Sequence, residues 1–139
     1  MQVYETPGHT PGGLSFLDVR ERLLFTGDAC NPNILLAPRE KSMIGPKSDI
    51  RTLLAAARKI EDLQDSYDRN YNGHVGGPHK TDYLPMPERL TRDCIAACEG
   101  LLEGSLTGVE SPNELFCSER CLVAKYGEVE IKYYPEQLK

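Results

Sequence analysis

The sequence predicts an α+β protein in which short, mostly antiparallel strands are covered by helices. Three observations carry that prediction. Apolar strand-like segments are paired across short polar turns at both ends of the chain, near residues 14–26 and 122–134. Two stretches, 49–66 and 87–103, place their apolar residues on one face at helical spacing. Between these segments lie loops dense in proline and glycine, which neither a helix nor a central strand accommodates.

In chain order, Gln2 to Tyr4 reads as a strand that runs straight into Pro7-Gly8-His9-Thr10-Pro11-Gly12-Gly13, a tight loop with a histidine at its centre. Leu14 to Asp18 alternates as a strand does, Val19-Arg20-Glu21 is a polar turn, and Arg22 to Thr26 contains the run Leu23-Leu24-Phe25. A continuous apolar run is expected of a strand covered on both faces. The strand closes on Gly27-Asp28. Residues 30–47 form a long loop with one short strand at Ile34 to Leu36, and loops of this length inside a compact domain are often functional. Ser48 is a suitable N-cap, with Asp49 in the first turn of a helix running to about Ser66. Asn70 to Asn72 is a strand before a second glycine-rich loop, Gly73-His74-Val75-Gly76-Gly77-Pro78-His79. Pro87 opens a second helix that Gly104 ends, and Leu122 to Tyr134 forms a closing hairpin.

Bulk properties exclude several classes. The chain of 139 residues carries a formal net charge of -5 with its acids scattered, so it lacks the clustered basic surface that nucleic acid requires. No apolar run approaches the roughly 20 residues that span a bilayer. No basic segment followed by an apolar core opens the sequence, which points to the cytoplasm and to reduced thiols for the five cysteines.

Three residues share one design: His9, Asp28 and His74 each sit in a loop directly after a strand, next to glycine. Strand ends fix a side chain well, and glycine lets backbone and ligand approach. Imidazole and carboxylate are both good ligands for Zn²⁺, Fe²⁺ or Mn²⁺, and a carboxylate can bridge two ions. Taken singly, such residues are more often turn formers.

In order and context, Thr6-Pro7-Gly8-His9-Thr10-Pro11-Gly12-Gly13, Leu24-Phe25-Thr26-Gly27-Asp28-Ala29 and Asn72-Gly73-His74 resemble the third, fourth and last metal motifs of the metallo-β-lactamase superfamily. The resemblance covers roughly residues 2–103. It implies the C-terminal half of a four-layer αβ/βα sandwich across 1–139, with His9 on a first zinc, Asp28 bridging and His74 on a second. It further implies a metal-bound hydroxide that cleaves an ester, thioester or lactone-like bond of a small-molecule substrate. Asp rather than Cys at position 28 resembles the thiolesterase, lactonase and oxidoreductase branches. Val75-Gly76-Gly77 lacks the tyrosine that the glutathione-thioester branch commonly places there. An iron oxidoreductase of the same fold and a non-catalytic binding or dimerisation module are the alternatives.

The departure from that family is large. Its His-x-His-x-Asp-His run is absent, since the chain has only three histidines, His9, His74 and His79. Three ligands divided between two ions make weak or absent metal binding and no efficient hydrolysis the expectation for this chain alone. A missing N-terminal half would leave one sheet face and an edge uncovered, which implies self-association.

His79 and Cys30 are candidates for the substrate pocket, His79 by sharing the last loop and Cys30 by lying two residues from Asp28; Lys80 and Tyr83 are weaker ones. Cys94 and Cys98, and Cys117 and Cys121, are each four apart. That spacing suits small buried hydrophobes better than a four-thiol zinc site.

Overall fold

The computed structural model describes residues 1–36, 48–74, 85–111 and 121–139. It bears out the α+β reading: two helices and two mixed four-stranded sheets. The first sheet has the order β1 (Gln2–Glu5), β2 (Leu14–Asp18), β3 (Leu23–Phe25) and β5 (Arg69–Tyr71). The second has the order β4 (Asn33–Leu35), β8 (Val129–Tyr133), β7 (Leu122–Tyr126) and β6 (Val109–Glu110). Antiparallel pairs predominate, but β3–β5 and β4–β8 are parallel. Parallel neighbours require a crossover; α1 (Ile50–Glu61) lies within the β3–β5 crossover and α2 (Leu90–Glu103) within the β4–β8 crossover.

One core joins both sheets and both helices. Leu17 and Leu24 from the first sheet and Ala124, Ile131 and Tyr133 from the second meet Leu53 and Ile60 of α1 and Leu90, Ala97 and Leu101 of α2. The alternation along β2 shows how the pattern aims the sheet: Ser15 and Leu17 are buried while Leu14 and Phe16 face out. Along β8 the same period buries Val129, Ile131 and Tyr133 and leaves Glu130 and Lys132 on the other face.

Several boundaries differ from the sequence expectation. The N-cap of α1 is Asp49, not Ser48: its Oδ1 accepts from the Thr52 backbone N–H at 2.7 Å. Replacing Asp49 by alanine should cost about 1 kcal/mol in chemical denaturation; an unchanged midpoint would show that the cap is dispensable. Helix α1 ends at Glu61, and Gln64–Ser66 is a separate 3₁₀ turn. Helix α2 begins at Leu90 because Pro87 closes a turn, its carbonyl accepting from the Leu90 N–H. Gly104 ends it in the left-handed region at φ 79°, as a C′ glycine does.

The apolar run Leu23-Leu24-Phe25 is not covered on both faces. Leu24 is buried, but Phe25 is 39% exposed, because no described element covers the outer face of the first sheet. No helix among the described residues is long and apolar enough to cross a membrane.

Cys30, Cys94 and Cys98 are free and buried. The expectation of five reduced thiols fails at Cys121, which is disulfide-bonded. Compartment sets an average redox poise and does not decide an individual pair.

Candidate metal centre

The loop carrying His9 is closed at its neck. The Thr6 backbone N–H donates to the Gly13 carbonyl at 2.8 Å, and the buried Thr6 hydroxyl is 2.8 Å from that of Ser15. Within the loop the Gly8 N–H donates to the Thr10 carbonyl. His9 Nδ1 donates to the Leu35 carbonyl. A carbonyl can only accept, so Nδ1 carries the proton, and in the neutral form of the ring the Nε2 lone pair faces the cleft. An imidazole whose tautomer is fixed by a backbone carbonyl is oriented as metal-ligating histidines are.

Asp28 follows Gly27, whose φ of 54° is a left-handed conformation that favours glycine. Beneath it the buried Thr26 hydroxyl lies 3.2 Å from the Cys30 carbonyl and 3.1 Å from the Asn70 side-chain oxygen. This ties the end of β3 to that of β5. His74 follows β5, its backbone N–H donating to Asn72 Oδ1 at 3.1 Å. Its Nε2 bonds Asp28 Oδ1, while His9 Nε2 stands 3.9 Å from Asp28 Oδ2. The three side chains therefore meet at one rim of the first sheet, with the carboxylate between the two imidazoles. They are partly exposed, at 30% for His9, 41% for Asp28 and 54% for His74, and they border a cavity of about 210 Å³.

Cys30 does not line that cavity and is corrected as a pocket candidate. After Asp28 the chain turns back, the Ala29 N–H donating to the Thr26 carbonyl. This carries Cys30 into the core, fully buried, 3.8 Å from Thr91 Oγ1. Thiol hydrogen bonds to Cys30 and Cys98, with burial, push Cys94 well above the usual thiol range, so it is a proton-bearing core residue. His79, Lys80 and Tyr83 lie outside the described residues. Sequence reasoning missed the Leu35 carbonyl, Asn31, Asn72 and Lys132, all bordering the cavity. The period of β8 marks Lys132 as pointing away from the core, but nothing local shows that this face looks onto the cavity.

Two imidazoles astride one carboxylate, each on a loop beyond a strand end, define a donor set of the metal-dependent kind. Residues 1–74 match the family described as the Metallo-beta-lactamase superfamily, 74 of 139 residues; the chain belongs to this superfamily, which is generally metal-dependent. No curated protein matches the chain.

The donor types fit a first-row divalent ion, and a lone pair facing a carboxylate oxygen across 3.9 Å is a gap that a cation would relieve. The donor number falls short. Among the described residues no three His, Cys, Asp or Glu side chains are grouped to hold one ion. Each oxygen of Asp28 faces one imidazole, which allows two protein donors per ion where a catalytic zinc takes three.

Proposed function

We propose that this chain carries one side of a dinuclear metal centre of a metal-dependent hydrolase, with His9 toward one ion, His74 toward the other and Asp28 between them. The observation that carries this is the fixed tautomer of His9 together with the division of the Asp28 oxygens between the two rings. The remaining donors would come from a histidine-bearing segment not present in these 139 residues. Zinc is the ion proposed, with manganese or iron as alternatives. When bound, the pair would supply an activated water for cleaving an ester, thioester or lactone-like bond. This chain's own residues set the rim: the Leu35 carbonyl orients the His9 ring, and Asn72 Oδ1 holds the backbone N–H of His74.

Titration with Zn²⁺ or Mn²⁺, followed on the imidazole resonances, tests this reading. His9 and His74 should both respond while His79 responds less. The affinity should be weak, with a dissociation constant no tighter than about 10 µM because two donors per ion repay little desolvation. Asp28→Ala should abolish both responses, and the chain should not accelerate ester hydrolysis above free metal. Stoichiometric, tight uptake of two ions by the isolated chain would contradict the proposal, as would silence of both rings.

A further inference from the structure

The cavity beside the candidate metal centre has a wall that the metal reading does not use. It is made by β4 and the loop before it, paired with β8. The Pro32 carbonyl accepts the Glu130 N–H at 2.8 Å, and the Leu36 N–H donates to the Lys132 carbonyl at 2.9 Å. Two side chains on this wall have donors to spare. Asn31 borders the cavity and is only 5% exposed. Its Oδ1 accepts the Asn33 N–H at 2.8 Å, which leaves Nδ2 without a partner among the described residues. Lys132 borders the same cavity with its side chain 21% exposed, and it alone of the described residues there carries a fixed positive charge. Its ammonium stands 3.6 Å from Glu130 Oε1, too far for a hydrogen bond, while the other oxygen of Glu130 is 2.9 Å from Lys125 Nζ. One carboxylate against two ammonium groups leaves a positive charge in excess. A charge held that far out of water is costly unless something pairs with it.

We propose that Lys132 and the Asn31 amide form a subsite for a free carboxylate of the substrate, distinct from the bond that is cleaved. Its assignment to a substrate rests on the hydrolase reading, whereas the anion site itself does not. An ammonium and an amide N–H are both donors, and a charge-assisted bond to a carboxylate is among the strongest that either makes. One positive charge in excess matches a singly charged group. The opposite side of the cavity offers an anion nothing comparable. Asp28 is itself a carboxylate, the neutral His9 ring presents a lone pair, and His74 Nε2 is engaged with Asp28. The cavity of about 210 Å³ admits a small acid of a few carbons. Lys132 is held on a strand, which fixes a specificity-determining group better than a free loop does. It also lies outside the residues 1–74 that match the superfamily, so the subsite draws on the chain's own closing hairpin.

Titration of the full chain in metal-free buffer with monomethyl succinate, against neutral dimethyl succinate, tests this on the amide resonances. Asn31, Asn33 and Lys132 should shift with the monoacid, at a dissociation constant of about 1–10 mM as one partly open ion pair allows, and not with the diester. Lys132→Gln removes the charge, keeps a polar side chain and should weaken binding about tenfold. Asn31→Asp keeps the acceptor of the Asn33 N–H, replaces the Nδ2 donor by an oxygen and should weaken binding as much. Glu130→Gln frees the ammonium from its competing carboxylate and should tighten binding. Asp28→Ala, which removes the metal response, should leave the anion response in place. Equal shifts with acid and diester, or an affinity indifferent to Lys132→Gln and Asn31→Asp, would overturn the proposal. Anion binding that follows Lys132 while His9 and His74 stay silent toward Zn²⁺ would sustain the subsite and remove the hydrolase reading.

Discussion

Replacing Gly127 by alanine is expected to destabilise the protein by about 3–5 kcal/mol, because strain and a steric clash add at one atom. Gly127 turns β7 into β8 at φ 53°, where an alanine costs roughly 1–2 kcal/mol by itself. An added Cβ would also stand 2.2 Å from Asp93 Oδ2 and 2.4 Å from its Cγ. Asp93 cannot swing aside cheaply. It is 3% exposed, accepts the Glu128 N–H at 3.0 Å, and is 3.3 Å from Arg89 Nη2. Displacing it deprives a buried carboxylate of the Glu128 N–H that it accepts. Asp93→Ala removes the clash but also the acceptor, and should cost about 1–3 kcal/mol. The double variant should therefore be clearly more stable than the sum of the singles implies, as expected of groups in contact. Denaturant midpoints of the three variants measure this. A Gly127→Ala protein within about 0.5 kcal/mol of the parent would remove the argument that this turn locks α2 to the second sheet.

That lock shows why only part of the molecule was legible in its sequence. The period of β2, the spacing of α1 and the glycine ending α2 are local signals, and each led to the right element. His9, Asp28 and His74 were legible for the same reason: glycine and proline mark where each strand stops, and strand ends of one sheet gather at its rims. What escaped was set by contacts distant in sequence. Cys30 lies two residues from Asp28, yet the turn at Ala29 sends it into the core. Leu35 holds His9 through a backbone carbonyl, a group every residue has. Lys132 reaches the cavity only because β8 pairs with β4 about a hundred residues away in sequence. The two-residue β6 is too short to leave a pattern. Phe25 looked like core because hydrophobicity alone does not distinguish a face packed within the chain from one left bare.

The dependence of the candidate site on its loops can be tested at adjacent glycines with opposite outcomes. At Gly13 an added Cβ would lie 2.5 Å from the Thr6 carbonyl oxygen and 3.2 Å from its carbon. Both atoms are backbone, so no rotamer relieves the contact. Thr6 is also fixed, being fully buried, bonded to Ser15 through its hydroxyl and to Gly13 through its N–H. Gly13→Ala must therefore open the loop neck, at about 2–3 kcal/mol for overpacking a fixed contact. Because His9 hangs between Thr6 and Gly13, its ring should leave both the Leu35 carbonyl and Asp28. Gly12 is the control. Nothing lies within 4 Å of a Cβ there and its φ is outside the left-handed region. Gly12→Ala should be neutral, or stabilise by about 0.4–1 kcal/mol through a less disordered unfolded chain. Denaturation gives the energies, and the His9 ring resonances with and without Zn²⁺ give the site. If the two alanine variants behaved alike, the loop neck would not be what places the imidazole.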